Sequence, residues 1–211
     1  MDVIIKSLLP LTLLLFAVSV VQAQKKVQTF KVSQVINAPA DKVWAIVGQD
    51  YGAVANSHPR IISSNYINGS LQAREGAERV CNFNDKGTQF LHERMVNYDP
   101  DNMTFVNQVF HAGKFPVDPD YTRALYKVED LGNGQSRMTF DMQFRTKPAM
   151  MGALMKGNFR KLIEDYFISI EHHARTGEVV NKENFKQIKK QYKKQKVDQS
   201  SSDMEMAEAA E

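Results

Sequence analysis

Residues 32–44 read VSQVINAPADKVW, and this short stretch decides how the rest of the chain is parsed. Upstream of it and into it, β-branched residues recur at Val27, Thr29, Val32 and Val35, which predicts a strand. Ala38-Pro39 ends that strand, because proline has no N–H to give to a ladder. Proline is well placed in the first turn of a helix, where its missing donor would have had no partner. Val43, Trp44, Ile46 and Val47 then share one face at helical spacing, around the only tryptophan of the chain. The helix fades at Gly48, and YGAVANSHP supplies one more helical turn before His58-Pro59.

Beyond this point strands follow one another. RIISSNYI ends at Asn68-Gly69, read as a hairpin turn, and GAERVCNFN ends at Asp85-Lys86-Gly87. TQFLHERMVNY ends at Asp99-Pro100-Asp101, MTFVNQVF follows, and YTRALYKVED ends at Gly132-Asn133-Gly134. In SRMTFDMQFRT, Met138, Phe140, Met142 and Phe144 alternate with Arg137, Thr139, Asp141, Gln143 and Arg145, the pattern of an antiparallel strand with one face buried. After Lys147-Pro148, Met151, Met155, Phe159, Leu162, Tyr166 and Ile170 repeat every three or four residues, which predicts a long amphipathic helix stopped at Gly177.

The element order is thus strand, two short helices, six strands and one long helix. It specifies an α+β domain in which a curved antiparallel sheet of seven strands and a single helix bury their apolar faces against each other. A hollow is expected where the two diverge.

The ends of the chain read differently. An apolar run from Leu8 to Val21 follows Lys6 and leads to Val21-Gln22-Ala23, which reads as a secretory signal peptide over 1–23 with cleavage near Ala23. The run is shorter than the roughly 20 residues a membrane-spanning helix needs. The expected protein is therefore exported, periplasmic or secreted. The domain occupies 24–178. Residues 179–211, lysine-rich and then acidic, read as a solvated, flexible tail, although Phe185, Ile188 and Tyr192 are spaced for a short basic helix able to touch an anionic surface. A formal charge of +3 does not indicate a nucleic-acid binder. Cys81 is the only cysteine, so no internal disulfide forms, and it reads as a small buried hydrophobe. No metal-ligand spacing, phosphate-binding glycine loop or catalytic dyad appears, and no cofactor is assigned.

INAPADKVW, the GAER strand start, LHERM, the proline-led last helix and the whole element order resemble the SRPBCC (Bet v 1-like, START-like) helix-grip superfamily. Within it the chain looks most similar to polyketide cyclase/dehydratase-like proteins, some exported members of which, the MxaD-like proteins, carry signal peptides. The resemblance covers Lys26 to Gly177. It implies that two short helices plug one end of the sheet, with Val43 and Trp44 as plug residues.

It also implies which side chains look inward: Arg79, Cys81 and Phe83; Leu91, Glu93 and Met95; Phe105, Asn107 and Val109; Tyr121, Arg123 and Leu125; and, from the helix, Met155, Phe159 and Ile163. A slip of one residue would turn any strand's set outward. Apolar walls with sparse polar anchors suit a small apolar or amphipathic ligand. Glu93 and Arg123 are the candidates for anchoring it. They would also be the working pair if the protein is instead a cyclase- or dehydratase-type enzyme, with Glu93 as general acid or base. A third reading makes the protein an accessory factor that works through its surface and basic tail.

Overall fold

The computed structural model describes residues 27–194. The expected signal peptide and the acidic end, 195–211, lie outside the described residues.

Strand β1 spans Gln28–Ile36. After Pro39, helix α1 (Ala40–Trp44) runs on as a wider π turn over Ala45–Gln49, and a 3₁₀ segment follows at Tyr51–Asn56. The strands β2 (Ser63–Tyr66), β3 (Glu78–Asn82), β4 (Phe90–Asp99), β5 (Thr104–Ala112), β6 (Arg123–Gly132) and β7 (Gln135–Phe144) then succeed one another. Helix α2 covers Gly152–Thr176. A further helix, α3, occupies residues 185–194.

The sheet order is β1-β7-β6-β5-β4-β3-β2, so the first strand closes against the last and every other neighbour is consecutive. All pairs are antiparallel. This is the α+β helix-grip architecture that the element order specifies. Local chemistry accounts for the joints. Gly132, Asn133 and Gly134 all take positive φ (73°, 53° and 74°) at the β6–β7 turn, which only such residues adopt cheaply. Gly177 caps α2 with φ 74° and donates its N–H to the His173 carbonyl at 2.8 Å.

Trp44 is buried and stacks on Tyr98 at 5.9 Å, closing one end of the sheet as a plug. Gly48, one turn on, lies so close beneath it that a Cβ there would stand 2.6 Å from the indole ring. Phe30, Met138, Phe140 and Phe144 bury one face of β1 and β7, while Phe159, Ile163, Tyr166, Phe167 and Ile170 bury the stripe of α2. The edge-on packing of Phe144 on Phe159, 4.9 Å between ring centroids, joins the two layers.

Three expectations are corrected. Asn68-Gly69 does form a turn, with Ser70 N–H donated to the Ile67 carbonyl at 3.0 Å, but it opens a loop over 67–77 rather than a tight hairpin, and β3 starts only at Glu78. The phase of β6 is shifted by one. A 3₁₀ turn at Pro119–Tyr121 delays the strand to Arg123, so Ala124, Tyr126 and Val128 face inward and Arg123 and Leu125 outward. The chain also does not leave the domain at 178. Val180 donates its N–H to the Asn56 carbonyl at 2.9 Å, and α3 lies on α2 with Val180, Ile188 and Tyr192 buried. Lys189 bonds Asp165, and the rings of Tyr192 and His172 meet at 6.1 Å. Apolar residues too few for a core of their own suffice when α2 offers a surface to cover.

Two stability measurements check this picture. Gly48→Ala should cost about 1–3 kcal/mol in urea unfolding, because the indole has no free space to retreat into. Ending the chain at Glu178 should cost about 2–4 kcal/mol, the burial of three side chains less the entropy of ordering the segment.

Candidate functional site

Between the sheet and α2 lies a cavity of about 90 Å³. Its aromatic end is made by Phe83, Phe115 and Phe159, and Phe140, Leu91 and Ile163 continue the apolar wall. The space is small for a ligand site. It is well below the roughly 300–1,000 Å³ of sites for drug-sized ligands. Large inward side chains have filled most of the hollow.

The polar end is built by neighbouring strands. In the β3–β4 register Arg79 stands directly opposite Glu93, both inward and both buried. Arg79 Nε donates to Glu93 Oε2 at 2.7 Å, and Nη1 donates to the Tyr51 carbonyl at 2.7 Å. The guanidinium also lies over the Tyr51 ring, 3.9 Å from its centroid. The Tyr51 hydroxyl donates to Asn107 Oδ1 at 2.6 Å, and the Cys81 thiol donates to Glu93 Oε2 at 3.4 Å. The buried ion pair is thereby neutral as a unit and hydrogen-bonded at several points, the condition under which buried charge is tolerated.

His58, just after the plug, is buried against Tyr166, with ring centroids 4.6 Å apart. Its Nδ1 accepts the backbone N–H groups of Arg60 (3.0 Å) and Ile61 (3.1 Å). The neutral ring therefore carries its proton on Nε2. Burial, helped by the charges of Arg79 and Arg60, lowers the His58 pKa to about 3. Burial also pushes up the Cys81 thiol and the Tyr51, Tyr126 and Tyr166 phenols. Burial works against the Arg79 charge, yet the adjoining Glu93 carboxylate holds that guanidinium above its ordinary value. At neutral pH these groups present a fixed pattern: uncharged imidazole, thiol and phenols around one guanidinium.

Part of that pattern is unused by the protein. Asn107 Nδ2, His58 Nε2, the Tyr126 hydroxyl and Glu93 Oε1 make no hydrogen bond to any described residue, and all four residues line the cavity. Each keeps some accessible surface, so water or the polar groups of a ligand in the cavity can pair with it.

Of the residues singled out from the sequence, Arg79, Phe83, Leu91, Glu93, Asn107, Phe159 and Ile163 line this space. Val109 does so too. Cys81 is buried behind Glu93. Phe105 and Met95 are core, with Phe105 stacked on Tyr126 at 4.6 Å, and Met155 is half-buried against the same core. Arg123 and Tyr121 are corrected by the β6 phase. Arg123 reaches only the rim, its side chain exposed and 3.4 Å from Gln143, and Tyr121 lies under Arg145 at 3.6 Å. The partner of Glu93 is Arg79 and not Arg123. Sequence reasoning passed over Tyr51, His58, Tyr126 and Tyr166. The phase of β6 was legible, since charges at Arg123, Lys127 and Glu129 alternate with Ala124, Tyr126 and Val128. The inward turn of His58 was not. Among the described residues no three His, Cys, Asp or Glu side chains are grouped to hold a metal.

Residues 27–166 match the family described as polyketide cyclase/dehydrase and lipid transport. The chain belongs to this family. No curated protein matches it in sequence. Among solved structures, the ZhuI aromatase/cyclase of Streptomyces sp. R1128 is similar in fold, with 12% identity, a TM-score of 0.59 and coverage of 71% of this chain and 94% of that one. The ginseng (Panax ginseng) major latex-like protein 151 gives 14%, 0.57, 70% and 97%. A protein of Thermobifida fusca gives 24%, 0.56, 69% and 92%. At these identities the likeness establishes the helix-grip fold alone.

The buried pair and His58 yield two predictions. Glu93→Leu should destabilise the protein by about 3–5 kcal/mol by leaving Arg79 unpaired, and adding Arg79→Met should recover much of the loss, as read from urea unfolding. His58 has a folded pKa of about 3 against 6.5 unfolded, so the unfolded chain binds the extra proton between those values. Its contribution is complete above pH 6.5 and is lost as pH falls toward 3. His58→Gln should flatten that part of the stability–pH curve.

Proposed function

We propose that this protein is an exported carrier or sequestering protein that holds one small amphipathic molecule in the cavity between sheet and helix. The observation that carries the reading is the set of unpartnered polar atoms, Asn107 Nδ2, His58 Nε2, Tyr126 OH and Glu93 Oε1, facing an otherwise apolar cavity. They suit a compact ligand whose carbonyl or hydroxyl oxygen accepts from Asn107 and His58, and whose hydroxyl or amine donates to Glu93. The ligand's apolar body lies toward Phe115 and Phe159. Anything larger than the present space enters by moving the half-buried Phe83 and Phe115, whose rings touch at 4.6 Å.

The protonation states favour holding over turnover. A histidine with a pKa near 3 is no base at neutral pH, and a thiol pushed upward by burial is no nucleophile. An enzyme of cyclase or dehydratase type remains the second reading because Glu93 keeps one oxygen free on the cavity, with Arg79 beside it to steady negative charge. In that case Glu93→Gln should alter the pH–rate profile while the fold stays intact.

Native mass spectrometry of the protein taken from the exported fraction of its own host tests the proposal. A retained mass that is released on denaturation is expected. Its occupancy should drop about tenfold or more in Asn107→Leu, which removes the polar end, and should be unchanged in Val35→Ala on the outer face. An empty protein, or equal effects of the two substitutions, overturns the carrier reading.

A further inference from the structure

The first turns of α2 carry a surface that the cavity does not explain. Met150 is 83% exposed, Leu154 78% and Met151 38%. Exposed apolar side chains scattered singly are ordinary, but these three stand within one helical turn of each other. The charged residues that follow them at once are of one kind. Between Asp141 and Glu164 the chain has no acid, and Lys147, Lys156, Arg160 and Lys161 succeed one another along the same segment. Arg160 and Lys161 are exposed, Lys156 half so, and the Lys147 side chain is 64% exposed. Asp118, in the loop packed alongside, is already engaged by Arg145 and Lys147.

The position of this surface is specific. The loop before β6 is tied to the helix entrance by a bridge between Val117 and Thr146 and by Lys147 N–H donated to the Pro116 carbonyl at 3.2 Å. Phe115 of that loop stacks on Phe159 of α2 at 6.3 Å, and both form the aromatic end of the cavity. The exposed methionines and leucine thus border the end at which an apolar ligand would pass. The start of β1 is here as well. The Gln28 side chain lies 3.0 Å from where a Cβ on Gly152 would stand.

We infer that the amino-terminal end of α2 docks on an anionic phospholipid bilayer, with Met150, Met151 and Leu154 entering the interface and the basic residues at the headgroups. The spacing fits. Leu154 and Lys161 are two turns apart, about 10 Å along the axis, which matches the depth to which apolar faces sink at a bilayer surface, about 5–10 Å. Long basic side chains cover apolar surface with their stems while their charges stay among phosphates. An apolar tip with a small basic patch gives reversible attachment, as suits a protein that loads or unloads at a membrane. The sequence alone assigned any anionic contact to the C-terminal lysines. The inferred contact lies instead at the opposite end of α2 from Gly177.

Flotation with vesicles tests this on the chain from Gln24 to Glu211, which keeps every described residue. Vesicles of phosphatidylcholine with phosphatidylglycerol should carry the protein upward, phosphatidylcholine alone much less, and molar salt should weaken the binding. The double variant Met150→Asp with Leu154→Asp should lower the partition coefficient about tenfold or more, with an unchanged melting curve since both side chains are exposed. Lys156→Glu with Lys161→Glu should lower it as well. Absence of flotation on anionic vesicles, or undiminished flotation of the Met150/Leu154 variant, overturns the inference. So does a loss confined to Lys190→Glu with Lys193→Glu, which would place the contact on α3. Asn107→Leu should leave flotation unaltered, so failure of the cavity reading and failure of the docking surface register separately.

Discussion

A single helix has to cover the inner face of a seven-stranded sheet, and it is too narrow to do so. Seven strands at about 4.8 Å spacing make a surface some 30 Å across, and a helix with its side chains is about 10–12 Å wide. The sheet answers by curving, α1 and the 3₁₀ segment plug one end with Trp44, and the inward aromatics of β5, β6 and β7 reach toward the stripe of α2. What remains uncovered is the cavity. Its existence follows from the architecture, and its small size follows from Phe83, Phe115, Phe140 and Phe159 occupying the rest.

The same constraint explains the polar end. Arg79 and Glu93 face each other across β3 and β4 on the concave side, so they are buried whether or not burial suits them. Each makes the other tolerable, and Tyr51 supplies both a carbonyl and a ring face to the guanidinium. Burial then fixes the neighbouring protonation states, with His58 neutral and the Cys81 thiol and the phenols protonated. A site whose groups do not change state near neutral pH is suited to recognising a ligand by position of donors and acceptors. This links the energetics of folding to the proposed binding role.

The two ends of α2 serve different purposes. The carboxyl-terminal half is covered on its second side by α3, through Ile188, Tyr192 and the Lys189–Asp165 pair. The amino-terminal turns have no such cover among the described residues and present methionine, leucine and lysine to the outside. One helix thus carries a buried stripe for the core, a wall for the cavity and an exposed apolar and basic end.

Periodicity and turn chemistry along the chain determined the element order, the sheet's antiparallel character, the plug at Ala38-Pro39 and the stop at Gly177. Each of these rests on contacts between residues close in sequence. The alternation of charge in β6 also held its true phase, which the assumption of a longer strand from Tyr121 overrode. Tertiary structure alone decided the rest. It set Arg79 opposite Glu93, turned the loop residue His58 inward, drew 180–192 onto α2 and brought Phe115 against Phe159. These depend on strand register and on the packing of segments distant in sequence. A one-residue shift, as at Pro119–Tyr121, reverses which side chains see the cavity. Local preference does not encode that choice; the burial of the whole inner face does.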